Sequence, residues 1–368
     1  MFVSNRGVGL CCNADVKYDM DPWQFWHSEQ RQIVLQKQKE NKKISDCAVC
    51  YKSEQQNLLS YRQRYNQKAY LDDSVKELPI MLDLDFSNFC NLKCVMCNPG
   101  RSSQWAKELG IHEDTNGVQT ISDQTLYSTC RLSHALQKLV IQGGEPSIMP
   151  EFQKYFEYLI QHNLAKNIDL EVITNLTNVN NKFFDSLKNF KSVTLGVSID
   201  AFGTANDYIR FPSNFDQITK NLKIVSEMSG NISVEIFNAV QILSMLNYGQ
   251  FLEWCHEVEK IFDAKNKKLK LVPLLVTSPK IYSILNAPLE LREKFTKDIK
   301  QFKSENKDAL TGNSRMHTEL SIFLKKLSAS TPDLRCLREL EQQISTLDTT
   351  RNIDINDYIT NFSEVIRI

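Results

Sequence analysis

The chain of 368 residues lacks a surplus of either charge: Lys+Arg and Asp+Glu both number 44. Without a basic excess there is no global electrostatic footprint for nucleic acid or anionic lipid, so nucleic acid is not an expected partner. Long apolar runs are missing as well. No window approaches the roughly 18 apolar residues of a membrane-spanning helix, and the start, MFVSNRGVGLCCNADVKYD, has no basic segment followed by an apolar one. The expectation is a cytoplasmic protein with no membrane partner. Beyond an alternation of strands and helices there is no internal repeat, and there is no low-complexity tract.

Cysteine, in contrast, is plentiful: there are 10. In a reducing compartment these are metal ligands, catalytic thiols or buried small residues rather than disulfides, and their spacing has to decide. From residue 80 onward β-rich apolar runs alternate with amphipathic helical stretches. The predicted strands are PIMLDLDFS (79–87), KLVIQGG (138–144), NIDLEVIT (167–174), KSVTLGVSID (191–200), NISVEIFNAVQIL (231–243) and KLKLVPLLV (268–276). Between them lie PEFQKYFEYLIQHN, NKFFDSLKNF, FDQITKNLKIVSEM and GQFLEWCHEVEKIF, with apolar residues at helical spacing. Strand, helix and strand in this order predict right-handed βαβ units and a parallel sheet, either doubly wound or an incomplete barrel. Gly143, Gly144, Glu145, Thr174, Asn175, Ser198, Asp200 and Gln241 all fall at or just past strand C-terminal ends, where both architectures place ligands.

Residues 1–78 differ. A short hairpin around Asn5, Arg6 and Gly7 leads to Cys11 and Cys12, then a polar helix to about Lys43, then DCAVC with Cys47 and Cys50. After residue 300 the pattern is polar and helical, KSENKDALTGNS reads as a linker, and Cys336 begins a last helix.

The densest chemistry is FCNLKCVMCN, with Cys90, Cys94 and Cys97 directly after a predicted strand. On random placement about 0.007 such patterns are expected in the chain, so the spacing is a signal. Three thiolates on one loop can wrap a face of an iron–sulfur cube and leave one iron open, and an open position is what separates a reactive metal centre from a closed one. The plainer readings are buried small residues, or zinc completed by His112 or Cys130. Zinc sites usually show paired two-residue spacings, and none of the 6 histidines stands at ligand-like spacing from this loop.

CNLKCVMC after one strand and GGEP after the next resemble the radical S-adenosylmethionine (radical SAM) superfamily over about residues 80–280. The resemblance implies a partial (β/α)6 barrel in which Cys90, Cys94 and Cys97 hold a four-iron, four-sulfur cluster. The amine and carboxylate of S-adenosylmethionine would chelate its open iron, and Met96 would sit near the adenine. Gly143, Gly144, Glu145 and Pro146 would bind the methionyl amino group. Ser198 and Asp200 would lie near the ribose or carboxylate, Arg210 would offer a guanidinium to that carboxylate, and Gln241 and Pro273 would be adenine-side positions. Thr174 and Asn175 read equally as cofactor contacts and as caps.

The N-terminal pattern GVGLCC, FW, DCAVCYKSE resembles the auxiliary module of SPASM/twitch-type radical SAM proteins. That implies a second iron–sulfur cluster on Cys11 or Cys12 with Cys47 and Cys50, its fourth ligand open among the remaining Cys of the pair, Cys336 and substrate. A zinc knuckle is the alternative. Cys130 and Cys255 sit among apolar residues and read as core.

The expected organisation is a cysteine-rich module at 1–78, the barrel core at 79–280 and a helical region at 281–368. The expected activity is reductive cleavage of S-adenosylmethionine to a 5′-deoxyadenosyl radical, fed by a flavodoxin- or ferredoxin-type reductant and acting on a peptide or protein. A nucleoside or small molecule is the alternative substrate, and a zinc-stapled binding protein the alternative class.

Overall fold

A computed structural model describes residues 1–14, 17–55, 60–66, 77–306 and 314–366. Most of the predicted linker after residue 300 lies outside them. The described strands are β1 (Phe2–Ser4), β2 (Gly7–Gly9), β3 (Met81–Asp85), β4 (Lys138–Gln142), β5 (Asp169–Thr174), β6 (Ser192–Ser198), β7 (Ile232–Val240) and β8 (Leu269–Leu275). They form one sheet in the order β2-β1-β3-β4-β5-β6-β7-β8. All six predicted strands are present as β3 to β8, separated by helices that include Pro150–Gln161, Phe215–Glu227 and Tyr248–Asp263. The α/β class and the strand–helix repeat of the expected partial barrel are therefore observed.

The chain divides into two compact units: Met1–Cys90, Pro99–Ile173 and Asn180–Val193 in one, and Asn91–Asn98, Thr174–Val179 and Thr194–Ile368 in the other. These boundaries differ from a division at 78 and 280. The physical reason at the N-terminus is backbone pairing: β1 runs parallel to β3 with Phe2 opposite Asp83 and Ser4 opposite Asp85. The first strands thus extend the core sheet, β2 closing a hairpin on β1 around Gly7, whose φ of 109° suits glycine.

In the first unit β1, β3, β4 and β5 are mutually parallel. The helix Pro150–Gln161 begins with proline, which needs no N–H there, and buries Phe152, Tyr155, Phe156 and Leu159 at three-to-four spacing. Phe86 stacks on Phe152 at 4.6 Å and meets Tyr155 edge-on at 5.9 Å. Each such ring contributes about 1.5–3 kcal/mol through burial.

In the second unit β7 alternates buried and half-buried positions along its whole length and pairs in parallel with β8. Pro273 lies in β8, at one end of the sheet, where its missing N–H leaves no ladder gap. Tyr248 of the helix Tyr248–Asp263 packs on Phe295 of Leu289–Glu305 at 4.7 Å. Arg292 is buried and donates to the carbonyls of Ala287, Leu327 and Ser330, tying three helical ends of the C-terminal region together. No helix among the described residues is long and apolar enough to cross a membrane. Cys255 and Cys130 are buried in the core as expected.

Candidate cofactor and cluster sites

The approach to Cys90 is fixed by side chains the sequence reading passed over. Asn88, 1 % exposed, donates to the carbonyls of Pro99 and Gly117 at 2.9 Å each and accepts from Gln119 N at 2.7 Å. The Ser103 hydroxyl accepts from Cys90 N and donates to Cys90 O, both at 3.2 Å. Cys90 is thereby held at the end of a rigid segment.

The GGEP turn docks on that same segment through its backbone. Gly144 N donates to Ser87 O at 2.9 Å and Glu145 N to Phe89 O at 2.8 Å. A side chain at Gly144 would stand 2.1 Å from Phe89 O, and one at Gly143 would stand 2.6 Å from Asp85 Oδ1 at a φ of 120°. Two glycines are therefore required for the turn to lie against the residues before Cys90. Glu145 is fully buried and accepts from Ser147 N at 3.1 Å, while Pro146 opens the following turn.

β3 carries two acids on one face, and both are buried. Asp85 accepts from Arg6 at 3.1 Å and pairs with Arg101. Burial pushes the Asp85 carboxyl up from its ordinary value, the two guanidiniums opposing. Asp83 accepts from Gln142 Nε2 at 2.8 Å and has the Cys12 thiol as a neighbour. Burial likewise raises Asp83. The alternation of Leu and Asp in MLDLD was the sequence signal for both.

In the second unit, Cys94 and Cys97 close a turn in which Cys97 N donates to Cys94 O at 2.9 Å. Lys93 N donates to Phe211 O at 2.7 Å and Val95 N to Ile209 O at 2.8 Å, so the loop is clamped to the end of the helix Thr204–Ile209. Met96 is half-buried at the turn. Arg210 leaves this helix with its Nη1 3.8 Å from Cys94 Sγ and its Nε 2.7 Å from Asp200 Oδ2. Asp200 is fully buried and its other oxygen accepts from Ala239 N at 2.7 Å. Burial alone raises the Asp200 carboxyl and lowers Arg210, yet the Asp200, Cys94 and Cys97 charges leave Arg210 raised, so the pair is a guanidinium–carboxylate pair. Burial pushes the Cys94 thiol up to about 12, Arg210 opposing.

Thr174 and Asn175 do local work. Leu176 N donates to Thr174 Oγ1 at 3.0 Å and Thr177 N to Asn175 Oδ1 at 3.0 Å, bracing Leu176 at a φ of 54°. Asn175 also donates to Asn91 in the cysteine loop at 2.9 Å. Ser198 ends β6 half-buried. Gln241 is fully buried, and its Nε2 has no hydrogen-bond partner among the described residues. An orphaned amide donor of this kind costs about 1–3 kcal/mol and marks a position that fits a ligand acceptor.

The N-terminal cysteines meet in the first unit. Cys11, Cys12, Cys47 and Cys50 line a cavity of about 300 Å³ together with Trp26, Arg31, Asp46 and Arg62. Cys11, Cys47 and Cys50 are close enough that Cys11 feels Cys50, and Cys47 feels both others. Cys12 also neighbours Asp83, and burial with that carboxylate raises its thiol well above the ordinary range. Among the described residues no three His, Cys, Asp or Glu converge on an ion-sized point. Thiols spread around a cavity suit a cluster better than one zinc, whose sulfurs must close to about 2.3 Å from the metal. Cys336 is not part of this lining; it starts the helix Leu334–Arg351 of the second unit, beside Asp333 and Lys280.

Residues 84–240 match the family model described as the radical SAM superfamily. GTP 3′,8-cyclase of Sulfurimonas denitrificans is 22 % identical over 206 residues, covering 53 % of this chain and 61 % of that one. The sporulation killing factor maturation protein SkfB of Bacillus subtilis is 23 % identical over 179 residues, covering 48 % of this chain and 40 % of its own. The chain thus aligns with about half the length of these relatives. Among solved structures, Streptococcus suis SuiB bound to precursor peptide SuiA has a TM-score of 0.34 at 13 % identity, covering 83 % of this chain and 60 % of that chain.

Proposed function

We propose that this protein is a radical SAM enzyme of the SPASM/twitch type that modifies a peptide or protein side chain by hydrogen abstraction. When bound, a four-iron, four-sulfur cluster with S-adenosylmethionine supplies reductive cleavage of the sulfonium and a 5′-deoxyadenosyl radical. Cys90, Cys94 and Cys97 would hold the cluster, the soft thiolates matching iron–sulfur chemistry. The backbone of Gly143 and Gly144 with Glu145 would take the methionyl ammonium, and Gln241 Nε2 would donate toward the adenine side. Met96 and Ser198 would flank the cofactor. Arg210, held by Asp200, would place positive charge against Cys94 and moderate the negative charge of the thiolates. A second iron–sulfur cluster would rest on the cysteines of the N-terminal cavity, and a flavodoxin- or ferredoxin-type donor would supply electrons.

The observation that carries this reading is the joint one: a three-cysteine loop within the matched segment, and a double-glycine turn whose backbone seats on the residues before Cys90. Peptide substrates are favoured by the SkfB likeness and the N-terminal cysteine cavity. The GTP 3′,8-cyclase likeness keeps a nucleotide as the second substrate reading.

The test is anaerobic reconstitution with iron and sulfide, followed by assay of 5′-deoxyadenosine formation with dithionite. The wild type is expected to bind about four to eight irons per chain and to form 5′-deoxyadenosine. A colourless zinc protein, or a Cys90, Cys94, Cys97 triple Ala variant as active as wild type, would overturn the proposal.

A further inference from the structure

Four thiols line the N-terminal cavity: Cys11, Cys12, Cys47 and Cys50. Cys12, adjacent to Cys11 in sequence, is the one that also neighbours the buried carboxylate of Asp83. With Cys12 given to Asp83, the lining offers Cys11, Cys47 and Cys50, one ligand short of a closed cube.

The cavity holds another anionic donor. Asp46 precedes Cys47 in the short turn Ser45–Cys47, which carries Asp46 inward; its residue is 6 % exposed and lines the cavity. One oxygen accepts a weak bond from its neighbour Ser45 at 3.3 Å, and the other, Oδ2, is buried with no hydrogen-bond partner among the described residues. A buried carboxylate oxygen without a donor is costly, and metal coordination is one of the few arrangements that satisfies it. The surroundings agree in charge. Arg31 and Arg62 line the same cavity and would offset three thiolates and a carboxylate, while Phe25, Trp26 and Leu35 add apolar lining.

We propose that Asp46, not Cys12 or Cys336, is the fourth ligand of the auxiliary cluster, giving a three-cysteine, one-aspartate set. The proposal rests on the auxiliary-cluster reading above. A hard carboxylate oxygen is a poorer match to iron–sulfur iron than a thiolate. An iron held by Asp46 would therefore be the one able to exchange its ligand for a substrate carboxylate or amide.

The experiment uses the full chain with Cys90, Cys94 and Cys97 replaced by Ala, so that iron reports the N-terminal site alone. After anaerobic reconstitution, iron, sulfide and the electron paramagnetic resonance spectrum of the reduced protein are measured. About four irons are expected in this background. Cys12→Ala keeps the iron and the spectrum, Asp46→Ala loses a quarter of the iron or more, and Asp46→Cys restores it with a changed spectrum. An Asp46→Ala protein indistinguishable from its background, a Cys12→Ala protein that loses its iron, or an Asp46→Cys protein that folds without iron overturns the assignment. If the background protein binds zinc and no iron, the auxiliary-cluster reading itself fails, which is a different result from Asp46 being the wrong ligand.

Discussion

Arg210 Nε lies 2.7 Å from Asp200 Oδ2, and the carboxylate is wholly removed from water. The pair joins the end of β6 to the end of the next helix, and the same guanidinium reaches Cys94. Removing one member strands the other's charge in the interior. Asp200→Ala is expected to destabilise the protein by about 3–5 kcal/mol in urea unfolding. The Asp200→Leu/Arg210→Met double variant should recover most of that loss; if it is no more stable than Asp200→Ala alone, the pair is not the source of the effect.

Gly144 and Gly203 give a matched comparison. An added Cβ at Gly144 would collide with the Phe89 backbone, whereas at Gly203, φ 60°, nothing lies within 4 Å. Gly203→Ala meets no neighbour but stands at φ 60°, ψ −140°, a backbone region alanine avoids, and should cost about 1–3 kcal/mol of strain while leaving 5′-deoxyadenosine formation near wild type. Gly144→Ala should displace the loop before Cys90 and reduce that activity at least tenfold. Equal activities would show that the close backbone approach is dispensable.

The buried amide of Gln241 predicts opposite effects on stability and binding. Gln241→Leu removes the orphaned Nε2 and should stabilise the cofactor-free protein by about 1–3 kcal/mol in thermal melts. Calorimetric titration with S-adenosylmethionine of the reconstituted protein should show weaker binding. A variant that binds as well as wild type would remove Gln241 from the site.

Asp207 sets a pH dependence. Burial raises its carboxyl from the ordinary value of about 4 to about 6, the Ser213 hydroxyl at 3.1 Å opposing. Between those values the native state holds more protons than the unfolded chain, so stability falls as pH rises from about 4 to 7. Asp207→Asn removes that contribution. The stability of Asp207→Asn relative to wild type should therefore increase over this range in urea titrations at successive pH values; a pH-independent difference would contradict it.

Strand and helix positions were legible because each face must satisfy one burial pattern. β7, ISVEIFNAV, alternates strictly, and the helices between strands repeat apolar residues every three or four positions. The 1–78 boundary was not legible. Three-residue strands such as FVS carry too little periodicity to declare a partner 80 residues away, and pairing with β3 is a tertiary choice. The GGEP turn was readable as a ligand loop, but its reason for two glycines, the backbone of Phe89, was not.

The sequence by itself determined the local chemistry: three thiols at one loop, two glycines after a strand, a second cysteine group near the N-terminus, and the βα order that delivers polar residues to strand ends. Those follow from spacing and periodicity, which are properties of the chain alone. Only the tertiary structure decided which polar groups meet. It gave Arg210 to Asp200 and Cys94, set Cys12 near Asp83, buried Asp46 beside Cys47, and kept Cys336 near Lys280 and Asp333. Such pairings depend on burial and on charges brought together from distant parts of the chain, and neither can be read from neighbours in sequence.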